Sequence, residues 1–126
     1  MDESPHLWVE ILCQESGLLI GERGSTLQAL EHVLRRCVWP ITGDTVRVVA
    51  DVNAYRVRRI DVVRRLARAA AQRARRMGRA VVMEPMRPSD RRIVHLTLAA
   101  EDGITTESVG EEPTRRVVVR PVTAVV

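Results

Sequence analysis

Residues 17–27 read GLLIGERGSTL, and this stretch decides the fold of the first part of the chain. It holds a G-x-x-G loop, Gly21 to Gly24, between a short apolar turn and a helix that Ser25 or Thr26 is able to cap. Two glycines let the backbone come close to a ligand, and the amides at the start of the following helix point toward an anion. The stretch therefore predicts a loop that holds a phosphate group at the beginning of a helix.

Two strands and a helix surround this loop. Apolar residues alternate over residues 7–14, which predicts a strand with one face on a core, and the valine-rich residues 46–52 predict a second strand. Between them a helix has one apolar stripe, and we expect Pro40 to end it. The stripe consists of Leu27, Leu30, Leu34, Cys37 and Val38. A G-x-x-G loop alone is a common turn, but in this context it favours the KH module, whose loop clamps the backbone of about four nucleotides.

The longest predicted element is a helix over residues 55–77. Asn53 is suited to its N-cap and Gly78 to a left-handed terminator. Its apolar stripe consists of Val57, Ile60, Val63, Ala67, Ala70, Ala74 and Met77. The remaining pattern predicts a short strand, a second helix and a hairpin, over residues 80–83, 89–99, 105–109 and 115–120. The expected fold class is α+β, with two small lobes joined at or within the long helix.

Positive charge is concentrated in this long helix. The chain has 20 arginines, no lysine and a net charge of +4, but residues 53–78 alone hold 9 arginines against a single acid, Asp61. Residues 1–52 carry 4 arginines and 8 acids, and residues 79–126 carry 7 of each. Such a local block is typical of a surface that binds a polyanion. The alternative is a solvated helix face, or one that pairs with the acidic first block.

The composition excludes several classes of function. Without lysine the chain has neither Schiff-base chemistry nor a Walker A phosphate loop. Cys13 and Cys37 lie in apolar runs without metal-ligand spacing, so we interpret them as core residues of a protein from a reducing compartment, and we expect no metal and no cofactor. No apolar stretch is long enough to span a membrane, and residues 1–3 are acidic where a signal peptide is basic. We therefore expect a cytoplasmic protein with no membrane insertion.

Four segments of the chain together resemble one bacterial protein family. They are GLLIGERGSTLQALEHVLRR (17–36), RVVADVNAYRVRR (47–59), GRAVVMEPMRPSDRRIVHLTLA (78–99) and TTESVGEEPTRRVVV (105–119). In combination, over about residues 8–120, they are similar to the Jag family, also called the SpoIIIJ-associated or KhpB family. The third segment holds Arg91 and His95, which carry the signature of the R-3-H domain. This domain binds single-stranded nucleic acid and is named after an Arg and a His separated by three residues.

The resemblance implies a type II KH domain over residues 7–52, followed over residues 53–120 by an R-3-H domain, a three-stranded sheet with two helices. It implies a non-enzymatic protein that binds single-stranded RNA, and also single-stranded DNA, in the bacterial cytoplasm. Such a protein works with a small partner KH protein and is linked to cell-envelope growth or division. Together with the charge pattern, the resemblance predicts the contact residues Gly21, Glu22, Arg23, Gly24, Ser25, Arg58, Arg65, Arg68, Arg91 and His95.

Two departures from the family pattern limit these expectations. Glu22 stands where family loops often carry a basic residue, and an acid beside a phosphate clamp weakens anion binding. We therefore expect shape and backbone contacts from the loop, and most of the charge-driven affinity from the arginine helix. The separate N-terminal extension of the family is absent from this sequence, so functions that depend on it are not expected.

The functional interpretation has alternatives. Arg91 and His95 share a helix face and are able to contact one ligand, but His95 as a buried structural histidine, with Arg91 in a salt bridge, explains the pair as well. We interpret Trp8 and Trp39 as core or lobe-interface residues. The rival to RNA binding is a protein-protein adaptor, for example with a second KH protein, whose affinity depends little on salt. An enzyme is disfavoured, because no nucleophile, base and orienting group occur at recognisable spacing.

Overall fold

The computed structural model describes residues 6–122, so the acidic residues near the start and residues 123–126 lie outside the described residues. The predicted α+β class is confirmed. The strands are β1 His6–Ile11, β2 Arg47–Val52, β3 Val81–Val82, β4 Ile104–Val109 and β5 Arg116–Pro121. The helices are α1 Ser16–Ile20, α2 Ser25–Thr42, α3 Tyr55–Met77 and α4 Pro88–Leu98, with short 3-10 turns at Glu22–Gly24 and Gly43–Thr45. No helix within residues 6–122 is both long and apolar enough to cross a membrane.

The chain divides into two compact units, Met1–Arg58 and Arg59–Val126, which we call the first unit and the second unit. The division falls within α3, whose first turn belongs to the first unit. The sequence-based domain bounds, 7–52 and 53–120, assign the whole of this helix to the second part of the chain and stay a prediction.

In the first unit, two parallel strands carry the loop between them. β1 pairs with β2 in the register His6 to Arg47 through Ile11 to Val52. Parallel neighbours need a long crossover, and here α1, the G-x-x-G loop and α2 supply it. One face of the pair is covered by these helices, and the buried core consists of Ile20, Leu27, Ala50 and Val52. The loop is thereby fixed to the core on both sides.

The second unit combines α3 and α4 with an antiparallel sheet in the order β3-β5-β4. Side chains from both helices and from β4 and β5 meet in one core, which includes Val94, Leu98, Ile104, Val117 and Val119. The side chains that α3 buries are almost all small. They are Val63, Ala67, Ala70, Ala71 and Ala74. Because alanine occupies little space, the α3 backbone lies close to the rest of this core.

The helix α3 begins and ends where the sequence predicts, at Tyr55 and Met77, but a residue other than the predicted Asn53 stabilises its start. Gly78 ends it with φ of 65° and donates to the Ala74 carbonyl at 2.9 Å. Asn53 is not the cap, because its side-chain amide bonds the backbone of Cys13 with both of its polar atoms, at 2.6 and 3.0 Å. Instead the buried Asp51 Oδ1 accepts from the amides of Val52 and Arg56, at 2.9 and 3.2 Å. The predicted role of Asn53 was therefore wrong.

Pro40 does not end α2, which continues to Thr42. The helix ends instead at Gly43, whose φ is 65° and whose amide donates to the Trp39 carbonyl. Proline adopts a helical φ, so it weakens the helix without necessarily stopping it: Pro40 lacks the N–H that would bond the carbonyl of Arg36, and its ring crowds that carbonyl. A glycine able to adopt positive φ is the stronger stop signal.

Several residues predicted to be buried are exposed. Val57 and Met77, at the two ends of the α3 stripe, are 63% and 44% exposed, because the core covers only the middle of the helix. Cys37 is exposed as well, and of the α2 stripe only Leu27 is fully buried. Trp8 and Trp39 were interpreted as core or interface residues, yet they are 57% and 46% exposed on a unit whose two-stranded sheet has too little surface to cover them.

Candidate nucleic-acid interface

The G-x-x-G loop has the backbone conformation that its glycines predict. Gly21 and Gly24 have φ of 71° and 83°, and Arg23 between them is also left-handed, with φ of 54°. The amide of Gly24 donates to the Gly21 carbonyl at 3.3 Å, which closes the loop directly before α2. No side chain caps the start of α2. The amide of Ser25, the first residue of α2, already donates to the Glu22 carbonyl, so the turn of the loop itself satisfies the first amide of the helix.

The two glycines are required by the protein itself. A Cβ on Gly21 would lie 2.2 Å from Thr26 Oγ1, and a Cβ on Gly24 would lie 2.9 Å from Cε1 of Tyr55. Tyr55, at the start of α3, therefore packs directly against the loop. This contact has no signal in a single sequence, because no local pattern shows that the first residue of α3 meets the end of the loop.

The two residues inside the loop carry opposite charges. Arg23 Nη2 lies 3.1 Å from Glu22 Oε1, and the Glu22 side chain is 81% exposed. Ser25 is also exposed. The pair reduces the positive potential of the loop, since the guanidinium has a carboxylate beside it before any ligand arrives.

Further along, α3 presents a set of exposed arginines in the second unit, spread over about half of the helix circumference. They are Arg64, Arg65, Arg68, Arg73 and Arg76. Arg65 donates from Nε to the Asp61 carbonyl at 3.4 Å, but within residues 6–122 none of the five pairs with a carboxylate. Arg58, at the end of the first unit, is exposed too and donates to the Asn53 carbonyl at 3.3 Å. These side chains are available to an external anion.

Other arginines of the same helix already have partners. Arg56 pairs with Glu31 and donates from Nε to the Ala50 carbonyl at 2.9 Å. Arg59 binds Asp90 with both Nε and Nη2, at 3.1 and 2.9 Å, and Arg75 pairs with Glu101 at 2.8 Å. The charge count of the sequence therefore overstates the free positive charge. Pairing with a distant carboxylate leaves no local sequence signal.

The signature residues Arg91 and His95 lie one turn apart on α4. Arg91 is 8% exposed: its Nη1 donates to the Met86 carbonyl at 2.7 Å, and its Nη2 lies 2.7 Å from Glu112 Oε1. His95 has its Nδ1 2.7 Å from Thr106 Oγ1 and its Nε2 2.7 Å from Ser108 Oγ. Burial and then the charge of Arg91 lower the pKa of His95 below its usual value, which favours the neutral ring.

Both signature residues thus connect α4 to the β4–β5 hairpin. A neutral imidazole has one donor and one acceptor, so one hydroxyl donates to His95 and the other accepts from it. These partners were not predicted; their one sequence signal is the alternation of Thr106 and Ser108, which places both hydroxyls on one face of β4. In the described part of the chain, no group of three or more His, Cys, Asp and Glu side chains is arranged to hold a metal ion.

The structure divides the predicted contact residues between the two units. Gly21, Glu22, Arg23, Gly24 and Ser25 form one continuous loop in the first unit, which also contains Arg58. The second unit holds Arg65 and Arg68 on the exposed side of α3, and Arg91 and His95 in hydrogen bonds on α4. The exposed residues are open to a ligand, whereas Arg91 has to exchange a partner in order to meet one.

The chain is similar to known proteins over most of its length. Residues 61–121 match the R-3-H domain family. The chain is 38% identical over 111 residues to the RNA-binding protein KhpB of Clostridium symbiosum, which covers 88% of this chain and 50% of that protein. It is 37% identical over 105 residues to KhpB of Lactiplantibacillus plantarum (83% and 33%) and 34% identical over 108 residues to KhpB of Bacillus subtilis (84% and 52%).

The chain spans between about a third and a half of the length of these curated relatives. The aligned region nevertheless covers most of this chain, and the domain match includes the α4 segment with Arg91 and His95. These matches support the KhpB family, also called the Jag or SpoIIIJ-associated family, as the family of this chain, with an R-3-H domain over residues 61–121.

Proposed function

We propose that this chain is a non-enzymatic protein of the bacterial cytoplasm that binds single-stranded RNA, and by the same phosphate contacts single-stranded DNA. The observation that carries the proposal is the set of exposed arginines on α3 without carboxylate partners in residues 6–122. Arginine binds phosphate oxygens through charge-assisted hydrogen bonds, and such contacts dominate the affinity for nucleic acid. The relatives named as RNA-binding proteins support this choice of polyanion.

The first unit serves as a type II KH domain in this proposal. Its loop, Gly21 to Ser25, lets the protein backbone approach the sugar-phosphate backbone closely, and the parallel pairing of β1 with β2 supports the type II arrangement. The Glu22–Arg23 pair keeps the loop weakly charged, so it contributes mainly shape. Arg58 extends the phosphate contacts along the first turn of α3.

The second unit serves as the R-3-H domain and provides most of the electrostatic attraction. Arg65 and Arg68 are three residues apart on α3, so they are able to contact neighbouring phosphates of one strand. Arg91 supplies a guanidinium to a phosphate when its partner on the hairpin moves away. His95 contributes through its half-buried ring, which is able to stack on a base while its nitrogens stay bonded.

Two wider roles follow from the similarity to the KhpB family. We propose that the protein acts in cell-envelope growth or division, and that it forms a complex with a small partner KH protein. Both are statements about the whole proteins of the family, of which this chain spans at most about half.

The salt dependence of RNA binding tests the proposal. We would titrate a short fluorescein-labelled single-stranded RNA by anisotropy from about 50 to 200 mM salt. Each lost contact to a single strand reduces the slope of log affinity against log salt by roughly 0.7. The triple variant Arg58→Gln, Arg65→Gln and Arg68→Gln should therefore reduce the slope by up to about 2 units. An unchanged slope would show that these arginines do not contact phosphate.

A matched pair of single variants on α3 controls for the loss of charge. Arg68→Gln removes an unpaired guanidinium, whereas Arg75→Gln removes one that already lies 2.8 Å from Glu101. Both change the formal charge equally. We expect a clear loss of affinity for Arg68→Gln and a smaller one for Arg75→Gln, whose guanidinium is already neutralised. Equal losses would mean that only the overall charge of the helix matters.

The exposed apolar surface of the first unit supports a second candidate, a protein-protein adaptor. Leu12, Leu18 and Ile41 are each more than 70% exposed, in addition to the two tryptophans. Large exposed apolar side chains mark interaction surfaces when they are contiguous. An adaptor of this kind binds a protein partner with little dependence on salt, and in the titration above it would show no steep, arginine-dependent RNA affinity.

A further inference from the structure

The guanidinium of Arg91 bonds two groups, a buried backbone carbonyl and a half-exposed carboxylate. Nη1 donates to the carbonyl of Met86, which lies just before α4, and this bond is buried. Nη2 lies 2.7 Å from Oε1 of Glu112, on the segment that joins β4 to β5. The Arg91 side chain is 10% exposed and that of Glu112 is 51% exposed. The partner of Arg91 that meets solvent is therefore Glu112.

Glu112 offers Arg91 the kind of group that a nucleic acid would bring. A carboxylate and a phosphate both present a pair of acceptor oxygens that a guanidinium is able to bond. Residues 111 to 114 are all exposed, so Glu112 can leave Arg91 without opening the core. Glu112 returns to solvent when it leaves, and the phosphate that takes its place keeps the buried guanidinium paired.

We propose that Glu112 is an intramolecular competitor for nucleic-acid phosphate at Arg91, a built-in carboxylate that an RNA strand must displace from Nη2. The proposal rests on the proposed function, since it assigns a regulation to that binding surface. In the absence of RNA the pair keeps the guanidinium satisfied. When a strand is held on the α3 arginines, its phosphate exchanges with Glu112.

Glu111 provides a matched control for this role. It is the preceding residue, it is exposed, and its carbonyl accepts from Thr114 N and Oγ1 at 2.9 and 3.1 Å. Among the described residues its carboxylate has no ion-pair partner. Glu111→Gln and Glu112→Gln remove the same charge from the same loop, so any difference between them comes from the contact with Arg91.

The test measures RNA affinity and thermal midpoint for both variants of the full chain, with the labelled single-stranded RNA used above. We expect Glu112→Gln to bind the RNA roughly threefold to fivefold more tightly than Glu111→Gln, the size expected when a half-exposed ion pair stops competing. Its thermal midpoint should be slightly lower than that of Glu111→Gln. A purely structural ion pair predicts a lower midpoint without a gain in affinity, so equal or weaker binding by Glu112→Gln would overturn the proposal.

A double-mutant cycle assigns the effect to Arg91. In an Arg91→Gln background the difference between Glu112→Gln and Glu111→Gln should disappear, and if it persists the competitor role is wrong. Because Arg91 is buried, Arg91→Met serves as a second background if Arg91→Gln fails to fold, since its unbranched side chain fills the site without a charge for Glu112 or a phosphate. The arginine variants of α3 separate RNA binding itself from competition by Glu112. If these variants lose RNA affinity while Glu112→Gln binds RNA as Glu111→Gln does, only the competitor role fails. If no variant and not even the wild type binds RNA, the proposed function fails with it.

Discussion

Gly24 lies against the ring of Tyr55 so closely that a Cβ at position 24 would stand 2.9 Å from Tyr55 Cε1. The loop and the start of α3 are therefore packed together within the first unit, and the G-x-x-G pattern has a structural cause that is independent of any ligand. Replacing Gly21 and Gly24 would disturb the loop and its support together. Such variants cannot separate RNA binding from folding.

Gly24→Ala should destabilise the protein by about 1 to 3 kcal/mol, because it combines a φ of 83° with a displaced aromatic ring. Gly17→Ala is the control, since a Cβ there meets no atom within 4 Å and the residue lies in α1. It should leave stability unchanged or raise it slightly. Urea unfolding of the two variants measures the difference, and equal stabilities would contradict the packing described for Tyr55.

The function of the loop is better tested at Arg23. Its φ of 54° lies in the left-handed region, which aspartate tolerates better than most residues, so Arg23→Asp should keep the fold. It places a second acid beside Glu22 and should weaken RNA binding several-fold, with a thermal midpoint that changes little. Arg23→Asn is the control, because it removes the cation without adding an anion. Wild-type affinity in Arg23→Asp would mean that RNA does not approach this loop.

The sequence was most informative where a single pattern determines an element. The bounds of α3 follow from an apolar stripe and a terminal glycine, and the structure places them at Tyr55 and Met77. It was least informative about pairing between residues far apart in the chain. Neither the contact of Glu112 with Arg91 nor that of Asp90 with Arg59 leaves a local signal, so a count of arginines cannot tell a free guanidinium from a buried, paired one.

The ion pair between Arg59 and Asp90 should be a major contribution to the stability of the second unit. The carboxylate is buried, with 6% of its side chain exposed, and it accepts two hydrogen bonds from the guanidinium. Asp90→Ala leaves Arg59 without its partner in a largely buried site and should cost roughly 3 kcal/mol. Glu101→Ala breaks the exposed pair with Arg75 and should cost at most about 1 kcal/mol. Similar midpoints in urea for both variants would contradict this ranking.

Replacement of His95 should affect stability more than RNA affinity. His95→Ala leaves the hydroxyls of Thr106 and Ser108 without their partner, which should cost about 1 to 3 kcal/mol. Thermal unfolding measures the loss, and an RNA titration below the unfolding transition measures the affinity of the folded protein. His6→Ala, on an exposed residue at the start of β1, is the control. If His95→Ala unfolds like the wild type but binds RNA poorly, the ring contacts the ligand directly.

The same histidine should make the stability depend on pH. Burial and the neighbouring Arg91 lower its pKa in the folded state below the ordinary value of 6.5, so the unfolded chain takes up a proton more readily. The stability that neutral His95 provides is thus fully present above pH 6.5 and is lost as the pH falls from there through the lowered folded pKa. We expect the difference in thermal midpoint between the wild type and His95→Ala to be larger at about pH 8 than at about pH 5.5. The two proteins differ only at residue 95, so the difference reports on His95 alone. A gap in midpoint that does not change with pH would show that His95 titrates alike in the folded and unfolded chain.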